Sequence, residues 1–428
     1  MSPSSFDVRG LIPQAQAVVD AGPICDACLG GAFGQLGRGM SNPERGRALR
    51  AALAAPAPPA SGSACWVCGG LFDEVEEWAR RAVARVGDAE FETYLFGMRP
   101  TPRLREVEAY FHDRFALERA EPLRHAFNRS VGKAFEALVG RGTVDFQDPN
   151  ASFTVDLVSG DVTVRLASLF LYGRYRKQVR GIPQTHWPCR RCRGRGCPAC
   201  GGSGKQYAES VEEIVSRPFV AAARAAGAHL HGAGREDIDA RMLGSGRPFV
   251  LEIMSPRVRR LDLKAVEGEL ASEAAGRVEV AELRWVRRDA VARVKETRAM
   301  KRYRARVAFS AEVDEAALGR ALAALVGEIE QRTPRRVAHR RADLVRRRRV
   351  HEACGGATAA REAVIEFVTD GGLYVKELVS GDDGRTNPSL SALLGVGAVV
   401  SELDVLCITS SEFPDAESFS MDEPDGVA

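Results

Sequence analysis

The side chains best suited to chemistry lie in a segment rich in glycine and arginine. Residues 231–253, HGAGREDIDARMLGSGRPFVLEI, hold two neighbouring carboxylates, Asp237 and Asp239, among four glycines and three arginines. A carboxylate close to guanidinium groups stays ionised, and glycine lets a backbone come close to a ligand. An apolar strand is predicted to follow, over Pro248–Ile253. The pattern indicates a reactive acid displayed on a turn, whereas the alternative is a surface hairpin with ordinary ion pairs.

Eight of the ten cysteines form CxxC pairs, a spacing that places two thiolates on one tight turn and suits a tetrahedral metal site. Without a secretion signal, metal binding is more common than disulfide formation. Sites with four cysteines are closed and structural, whereas catalytic zinc keeps an open position. We predict two structural zinc sites, the N-terminal one paired by elimination: Cys25, Cys28, Cys65 and Cys68 in the first, and Cys189, Cys192, Cys197 and Cys200 in the second.

Two basic segments have features of nucleic-acid binding. In YGRYRKQVRG, residues 172–181, cations beside Tyr172 and Tyr175 suit phosphate contact and base stacking, although a solvated strand end is the alternative. The arginine density of residues 332–350 exceeds the need of a solvated face, and the planar guanidinium suits phosphate. The residues predicted to contact a nucleic-acid backbone are Arg174, Arg176, Lys177, Arg335, Arg336, Arg340 and Arg341.

An aromatic ring and a lysine are expected to lie near the two aspartates. KRYRARVAF alternates as a strand, so Tyr303 shares the apolar face, either as a core residue or as a ring that stacks on a base. LYVKEL is interpreted as half of a hairpin-like pair, with Tyr374, Lys376 and Leu378 on one strand face. A lysine between apolar neighbours needs a carboxylate partner, and Asp237 is the natural candidate.

Apolar periodicity indicates the elements that must position these residues. Helical steps over residues 71–140, a strand in FETYLFGMRP, and the strands ASFTVDL and DVTVRL predict an α/β unit of about 100 residues. Beyond the second cysteine cluster, strands are predicted over Val278–Val286 and Tyr303–Phe309. An amphipathic helix follows in DEAALGRALAALVGEIEQ. A further helix is predicted to be capped by Asn387, with Pro388 at its first position.

Bulk properties exclude some classes of protein and favour a polyanionic partner. No apolar run is long enough to span a bilayer, and the start MSPSSFDVRG lacks the features of a signal peptide. A cytoplasmic protein is therefore expected. The net charge is only +3, but residues 410–428 hold six acids and no Lys or Arg, which predicts a disordered acidic tail. The folded body is consequently more basic than the total suggests.

Taken together, these segments resemble the pseudouridine synthases. AGREDIDARMLG resembles the catalytic strand-turn of that family, in which Ala-Gly-Arg, one variable residue and Asp carry the catalytic carboxylate. More narrowly, the chain resembles the archaeal and eukaryotic tRNA pseudouridine synthases that act on the TΨC arm. The matching segments extend from about Cys25 to Cys407, and the second cysteine cluster is a feature of the archaeal members. They include LYGRYRKQVRGIPQTHW, GREDIDARMLGSGRPFVLEI, QRTPRRVAHRRADLVR and YVKELVSGDDGRTNPSL.

The resemblance implies roles for individual residues. It selects Asp237 rather than Asp239 as the catalytic carboxylate, with Lys376 as its basic partner. Tyr303 would stack on the uracil, Leu378 would line its pocket, and Arg235 would stabilise the turn or fill the space of the flipped base. The substrate-binding residues implied are Tyr303, Tyr374, Lys376, Leu378 and Arg235.

The resemblance also implies the fold. It indicates an α+β protein whose C-terminal pseudouridine synthase fold has a mixed, largely antiparallel sheet with flanking helices. An N-terminal zinc-bound THUMP-type α/β domain would precede it. The expected order is a zinc module (1–70), a THUMP-type RNA-binding domain (71–182), a zinc knuckle linker (183–205), the catalytic domain (206–410) and the acidic tail (411–428).

The function implied is conversion of uridine to pseudouridine at tRNA position 54, position 55 or both. The target base must leave its stack to reach the acid. The expected enzyme is a monomer that binds tRNA and structural zinc, needs no organic cofactor and has no membrane partner. The alternative is a THUMP-type, zinc-stabilised tRNA-binding protein without isomerase activity. THUMP-type domains also accompany tRNA methyltransferases and thiolation enzymes, but the Gly-rich or nucleotide-binding loops of those enzymes are not found in the sequence.

Overall fold

The computed structural model describes residues 8–37, 39–59, 65–296, 299–339 and 341–409. The chain divides into two compact units, Met1–Ala167 and Ser168–Ala428. The predicted acidic tail and Arg340 lie outside the described residues. Within the described ranges, no helix combines the length and apolar character needed to cross a bilayer.

The first unit is a mixed α/β structure. A sheet with the order β2-β1-β3-β4 is covered by α4 and α6, and β1 is parallel to β2 and β3. Its elements are α1 (Ile12–Asp20), α2 (Asp26–Gly31), α3 (Asn42–Ala52), α4 (Val75–Val86), β1 (Thr93–Arg99), α5 (Pro102–Arg114), α6 (Leu123–Val139), β2 (Thr143–Val144), β3 (Ala151–Asp156) and β4 (Asp161–Leu166).

One hydrophobic core runs through this unit. Phe96 of β1 and Phe153 of β3 stack with ring centroids 4.7 Å apart, and Leu29 and Cys65 from the cysteine region belong to the same buried cluster. The predicted strands are confirmed. The predicted boundary at residue 70 does not separate two hydrophobic cores. The cysteine region alone has too few apolar residues to form a core of its own.

The second unit contains the larger sheet. Its order is β13-β10-β11-β12-β9-β14-β7-β5-β8, with β6 paired to β7. The elements are β5 (Leu169–Lys177), α7 (Val211–Ala222), β6 (Gly227–Gly232), β7 (Ala240–Met254), α8 (Leu263–Ala274), β8 (Val278–Val286), α9 (Ala290–Glu296), β9 (Met300–Phe309), α10 (Glu315–Leu325), β10 (Gly327–Arg332), β11 (Val345–Ala359), β12 (Glu362–Thr369), α11 (Val375–Ser380), β13 (Thr386–Asn387), α12 (Leu390–Leu394) and β14 (Ala398–Thr409).

The direction of pairing confirms the predicted α+β class. Among the pairs of this sheet in the described residues, β7 and β14 are parallel and the others are antiparallel. Long β7 joins the two halves, since its start pairs with β14 and its end with β5 and β6. Gly244 lies at the change of partner with φ +54, and a Cβ there would stand 1.9 Å from the Leu406 carbonyl oxygen. Glycine is therefore required here because two strands pass close to each other, and not because a ligand approaches the backbone.

Strand β5 corrects the predicted domain boundary at residue 182. Phe170 pairs with Glu252 of β7 and with Val286 of β8, which places the strand inside the second sheet. The predicted THUMP-type unit thus ends before β5. The second cysteine cluster emerges from within the second unit, between β5 and α7.

Three local predictions in the second unit are wrong. YVKEL forms helix α11, which ends at left-handed Gly381, rather than a strand. Asn387 belongs to β13, and Ser389 caps α12 by accepting a hydrogen bond from the Ala392 amide. The amphipathic pattern after residue 314 changes from helix to strand at Val326, so Ile329 is buried in β10. Short apolar runs do not distinguish strand from helix by periodicity alone.

Candidate active site

Asp237 lies on the turn, residues 233–239, that connects β6 to β7. Its carboxylate is partly exposed at 30%. The Arg336 guanidinium donates to it at 3.1 Å, and the Lys376 ammonium lies 3.5 Å away. Two cations therefore lie beside the carboxylate, which remains partly exposed and accessible to a ligand.

Lys376 contacts both aspartates of the turn. Its Nζ lies 2.7 Å from Asp239 and 3.5 Å from Asp237. The predicted pairing of Lys376 with Asp237 is present, but Asp239 is the closer partner. Burial disfavours the anion of Asp239, yet the hydrogen bond from Lys376 holds the pKa of Asp239 below its usual range.

Arg336 is the residue whose position the sequence did not indicate. Predicted as a phosphate contact, it lies in a 3₁₀ turn, Arg335–Val337, and its guanidinium also binds Glu377 of α11 at 2.6 Å. Burial alone would lower the pKa of Arg336, but Glu377 and Asp237 raise it above its ordinary value. Glu377 thus fixes the cation that faces Asp237.

Tyr303 and two apolar residues form the floor of a cleft. Tyr303 of β9 is buried on the predicted apolar face, opposite Val405 of β14, and Leu403 lies beside them. Leu378, predicted to line the pocket, is fully buried in the core because α11 turns it away. Leu403 of β14 lines the cleft instead. The sequence of β14 shows only ordinary strand alternation, which does not indicate this position.

The cleft has a volume of about 480 Å³ and a cationic rim. Tyr374 forms part of its wall, with the Arg336 guanidinium 5.8 Å from its ring centroid. Arg346 and Arg348 of β11 also line the cleft, as does the predicted residue Arg341. The arrangement suits a flat polar ring on the floor and phosphate groups at the rim.

Beneath the turn, a buried ionic network holds Glu236 in place. Arg247 donates to its carboxylate at 2.8 Å, the Tyr175 hydroxyl donates at 2.8 Å, and the Lys177 ammonium lies 3.9 Å away. Burial opposes the charge of Glu236, but Arg247 and Lys177 hold its pKa below the ordinary value. Glu236 precedes Asp237 directly, so the network fixes the backbone that displays the acid.

Several predicted phosphate contacts have other roles. Lys177 is fully buried in this network, and Tyr175 donates to Glu236 rather than stacking on a base. The Arg174 guanidinium bridges the carbonyl groups of Ser245 and Ile408, so it joins two strands. The predictions for Lys177 and Tyr175 are wrong because both are buried on an interior strand of the sheet, whereas the RNA contact of the partly exposed Arg174 stays a prediction.

The remaining predicted arginines lie on the surface. Arg176 pairs with Glu279 at 3.3 Å, and Arg335 pairs with Asp383 while its amide donates to Asp382. Arg235 lines the cleft, and its guanidinium donates to the Thr185 hydroxyl and lies 5.9 Å from the ring centroid of Trp187.

The eight predicted cysteine ligands form two clusters, each with four Sγ atoms within 4.8 Å of one another. The pairing of Cys25 and Cys28 with Cys65 and Cys68 is thereby confirmed. A tetrahedron with metal–sulfur bonds of about 2.3 Å has edges of about 3.8 Å, and the Sγ atoms of Cys25 and Cys68 are 3.8 Å apart. The Gly204 amide donates to Cys200 Sγ at 3.2 Å, as expected for a metal thiolate. Both donor sets fit a tetrahedral thiophilic metal.

Comparison with known sequences decides the family. A sequence model of the Pus10 C-terminal region matches residues 170–409, and one of the archaeal Pus10 THUMP domain matches residues 78–156. The chain is 47% identical over 413 residues to a tRNA pseudouridine synthase Pus10 from Halorubrum lacusprofundi, covering 94% of this chain and 96% of the relative. The chain belongs to the Pus10 family. It is therefore a pseudouridine synthase, which confirms the resemblance seen in the sequence.

Other Pus10 relatives extend along most of the chain. The Pus10 protein of Methanothrix thermoacetophila is 44% identical and that of Methanopyrus kandleri 42%, covering 92% and 89% of this chain and 94% of each relative. A chain in the crystal structure of a Cbf5–Nop10–Gar1 complex has 18% identity and a TM-score of 0.31, covering 46% of this chain and 45% of that one. That overlap is too low to add to the Pus10 assignment.

Lys301 is a cleft residue of this Pus10-family chain that sequence reasoning missed. It precedes Tyr303 by two positions on β9, so the same alternation turns it toward the cleft. Burial lowers the pKa of Lys301 to about 7, with Arg247 acting in the same direction and Glu236 against both. The Lys301 ammonium therefore lies close to a second cation, Arg247. Within the described residues, it forms no ion pair with a carboxylate.

Lys301→Met is expected to raise the free energy of unfolding most strongly below pH 7. The folded pKa lies below the ordinary 10.5, so the charged lysine opposes folding below pH 7, and this cost disappears as the pH rises toward 10.5. We expect the increase in the free energy of unfolding at pH 6 to exceed the increase at pH 9.5 by about 1 kcal/mol or more. Urea unfolding of both proteins at the two pH values measures it, and an equal gain at both would contradict the burial argument.

Proposed function

We propose that this enzyme converts uridine to pseudouridine in the TΨC arm of tRNA, at position 54, position 55 or both, with Asp237 as its catalytic carboxylate. The observation that carries the proposal is the position of Asp237. It stands at the cleft between two cations, Arg336 and Lys376, above a floor that contains Tyr303. An anionic carboxylate beside a slot for a planar ring is what the isomerisation requires.

The reaction moves the ribose C1′ bond from N1 of uracil to C5. The C1′–N1 bond breaks and a C1′–C5 bond forms, while C5 loses a proton and N1 gains one. Atoms and electrons therefore balance without an oxidant or co-reactant. The carboxylate of Asp237 acts as the anion in the first step, on the sugar, on the base or on a ribose proton.

Tyr303 supplies the surface against which the detached uracil turns. Burial raises the pKa of Tyr303 to about 12, with Asp237 acting in the same direction and Arg247 against it. The phenol is therefore neutral near pH 7 and can stack on the ring or pass a proton. Tyr374 and Lys376 border the same space and would contact the flipped nucleotide.

The substrate class follows from charge and from the relatives. The curated relatives are named tRNA pseudouridine synthases, and Arg341, Arg346 and Arg348 give the cleft a rim that suits an RNA backbone. The THUMP-type region would hold the body of the tRNA. The chain would act as a cytoplasmic monomer, which the molar mass of the purified enzyme tests.

The wild-type enzyme is expected to form pseudouridine at position 54, 55 or both in an unmodified tRNA transcript. Pseudouridine-specific chemical mapping after incubation, without any added organic cofactor, locates the product. Modification confined to other positions would contradict the TΨC assignment. Tight tRNA binding without any product would instead support the alternative of a tRNA-binding protein without isomerase activity.

Both cysteine clusters would hold structural zinc, since four thiolates leave no open position for chemistry. Cys192→Ser is expected to lower the zinc content from two ions to one per chain and to destabilise the fold. The turnover number per folded molecule should change less than about threefold, because no step uses the metal. Metal analysis with Cys354→Ser as the control, an exposed cysteine outside both clusters, measures it. Wild-type protein without zinc would contradict the assignment.

A further inference from the structure

The second cysteine cluster forms a small basic knuckle, residues 187–207. Its ends are tied together, because the Cys189 amide donates to the Gly204 carbonyl at 2.6 Å and the Gln206 amide to the Trp187 carbonyl at 3.0 Å. The rings of Trp187 and Tyr207 lie edge to face at its base, with centroids 5.7 Å apart. The knuckle is therefore a compact projection with a defined base.

The knuckle carries an unusual excess of positive charge. Residues 187–207 contain four arginines and one lysine but no Asp or Glu. A divalent metal with four thiolates would carry a charge of −2, which still leaves the knuckle clearly positive. Lys205 is neutralised by Glu213. The uncompensated charge consequently lies on the arginines Arg190, Arg191, Arg193 and Arg195.

In the described part of the chain, these arginines have no carboxylate partner. All four are exposed, and within the described residues Arg190, Arg191 and Arg193 form no ion pair. Arg195 donates only to the Cys192 carbonyl at 3.2 Å. By contrast, exposed arginines on β9, such as Arg304, pair with carboxylates. Guanidinium groups held on a compact loop without carboxylate partners suit an external phosphate.

The base of the knuckle is joined to the catalytic turn. Gln184, just before the knuckle, donates to the Gly234 carbonyl at 3.0 Å, and Arg235 donates to the Thr185 hydroxyl. The Arg235 guanidinium also lies 5.9 Å from the ring centroid of Trp187. The knuckle thus leaves the protein beside the catalytic turn, where its contact Arg235 lies two residues before Asp237. A strand of RNA whose nucleotide enters the cleft would continue past it.

We infer that the knuckle is an RNA-binding site whose arginines hold backbone phosphates of the substrate beside the target nucleotide. The inference rests on the proposed function for the identity of the RNA. Recognition would be electrostatic and independent of base sequence, with affinity that falls as salt rises. The half-buried rings of Trp187 and Tyr207 offer a stacking surface at the base.

The test replaces Arg190, Arg191 and Arg193 together by glutamine in the full-length enzyme. We expect the Kd for unmodified tRNA transcript to rise about tenfold at 0.15 M NaCl. The slope of log Kd against log salt concentration should fall by about two to three, since each lost phosphate contact lowers it by about one. The rate at saturating tRNA should remain close to wild type. Replacement by lysine should restore most of the salt dependence.

A matched control neutralises three arginines outside the cleft and the knuckle, Arg306, Arg320 and Arg361. Equal effects from both triple variants would overturn the inference, because the bulk charge would then explain them. An unchanged Kd and slope in the knuckle variant, with zinc content intact, would overturn it too. If the triple variant loses its metal, the single variants Arg190→Gln and Arg191→Gln provide the test, each with a slope change of about one.

The test of the knuckle and the test of the proposed function can fail independently. Wild-type enzyme that binds tRNA through the knuckle but makes no pseudouridine would refute the function and keep the site. Wild-type enzyme that makes pseudouridine while the knuckle variant binds like wild type would refute the site and keep the function.

Discussion

Asp237→Asn is expected to reduce the rate of pseudouridine formation by at least about a thousandfold. The amide keeps the shape of the side chain and can still accept a hydrogen bond from Arg336, but it is neither a nucleophile nor a base. Single-turnover measurement with saturating tRNA transcript isolates this loss. The Kd for tRNA should stay within about threefold of wild type, because the substitution removes a negative charge from a cationic cleft.

Asp239→Asn is the matched control for that prediction. Asp239 lies on the same turn and binds the same lysine, yet its side chain is 59% exposed and absent from the cleft lining. We expect less than about a tenfold loss of rate, through a shift of Lys376. A larger loss in Asp239→Asn than in Asp237→Asn would show that the family register has been assigned to the wrong aspartate.

Glu236→Gln is expected to lower the free energy of unfolding of the second unit by about 3–5 kcal/mol. The substitution leaves Arg247, whose side chain is 2% exposed, and fully buried Lys177 without a counter-charge. Chemical denaturation gives the value, with hydrogen exchange of β5 and β7 assigning the transition to the second unit. Glu366→Gln is the control, because its partner Arg304 is half exposed, and it should cost less than about 1 kcal/mol.

The effect of Glu236→Gln should depend on pH in a defined direction. The folded pKa of Glu236 is held below the ordinary value of 4.5. The stabilisation from its charge is therefore fully present above about pH 4.5 and is lost as the pH falls through the folded pKa. The difference from wild type should shrink in acid, as the pH falls below about 4.5. A difference that grows in acid would contradict a charged Glu236.

The elements that the sequence predicted well are those with a long, regular pattern. Helices α4, α5 and α6 and strands β8 and β9 follow from apolar repeats over seven residues or more. The strand predicted for LYVKEL failed because six residues fit either periodicity, and the helical form depends on Gly381 and on packing in the core. The family resemblance placed Leu378 in the pocket, but Leu378 is buried in the core as part of α11, and Leu403 lines the cleft.

Strand β5 shows why exposure is harder to predict than structure type. Its alternation of tyrosine and cations predicts a strand, but the same pattern is typical of a solvated strand end and does not indicate burial. In the fold both of its edges are paired, with β7 and β8. Tyr175 and Lys177 are then buried, which the protein tolerates because Glu236 supplies the opposite charge. That partner is about 60 residues away and carries no local signal.

Local spacing was enough to predict the two clusters of four cysteines and the regular helices and strands, and the family register points to Asp237. The tertiary structure alone decided which charges meet. Arg336 lies 99 residues from Asp237 and Lys376 lies 137 residues from Asp239, yet the three chain segments converge at one cleft. Spacing along the chain indicates only how residues close in sequence are arranged. Ion pairs and burial depend on sheet order, and only the assembled sheet brings the turn, α11 and β9 together.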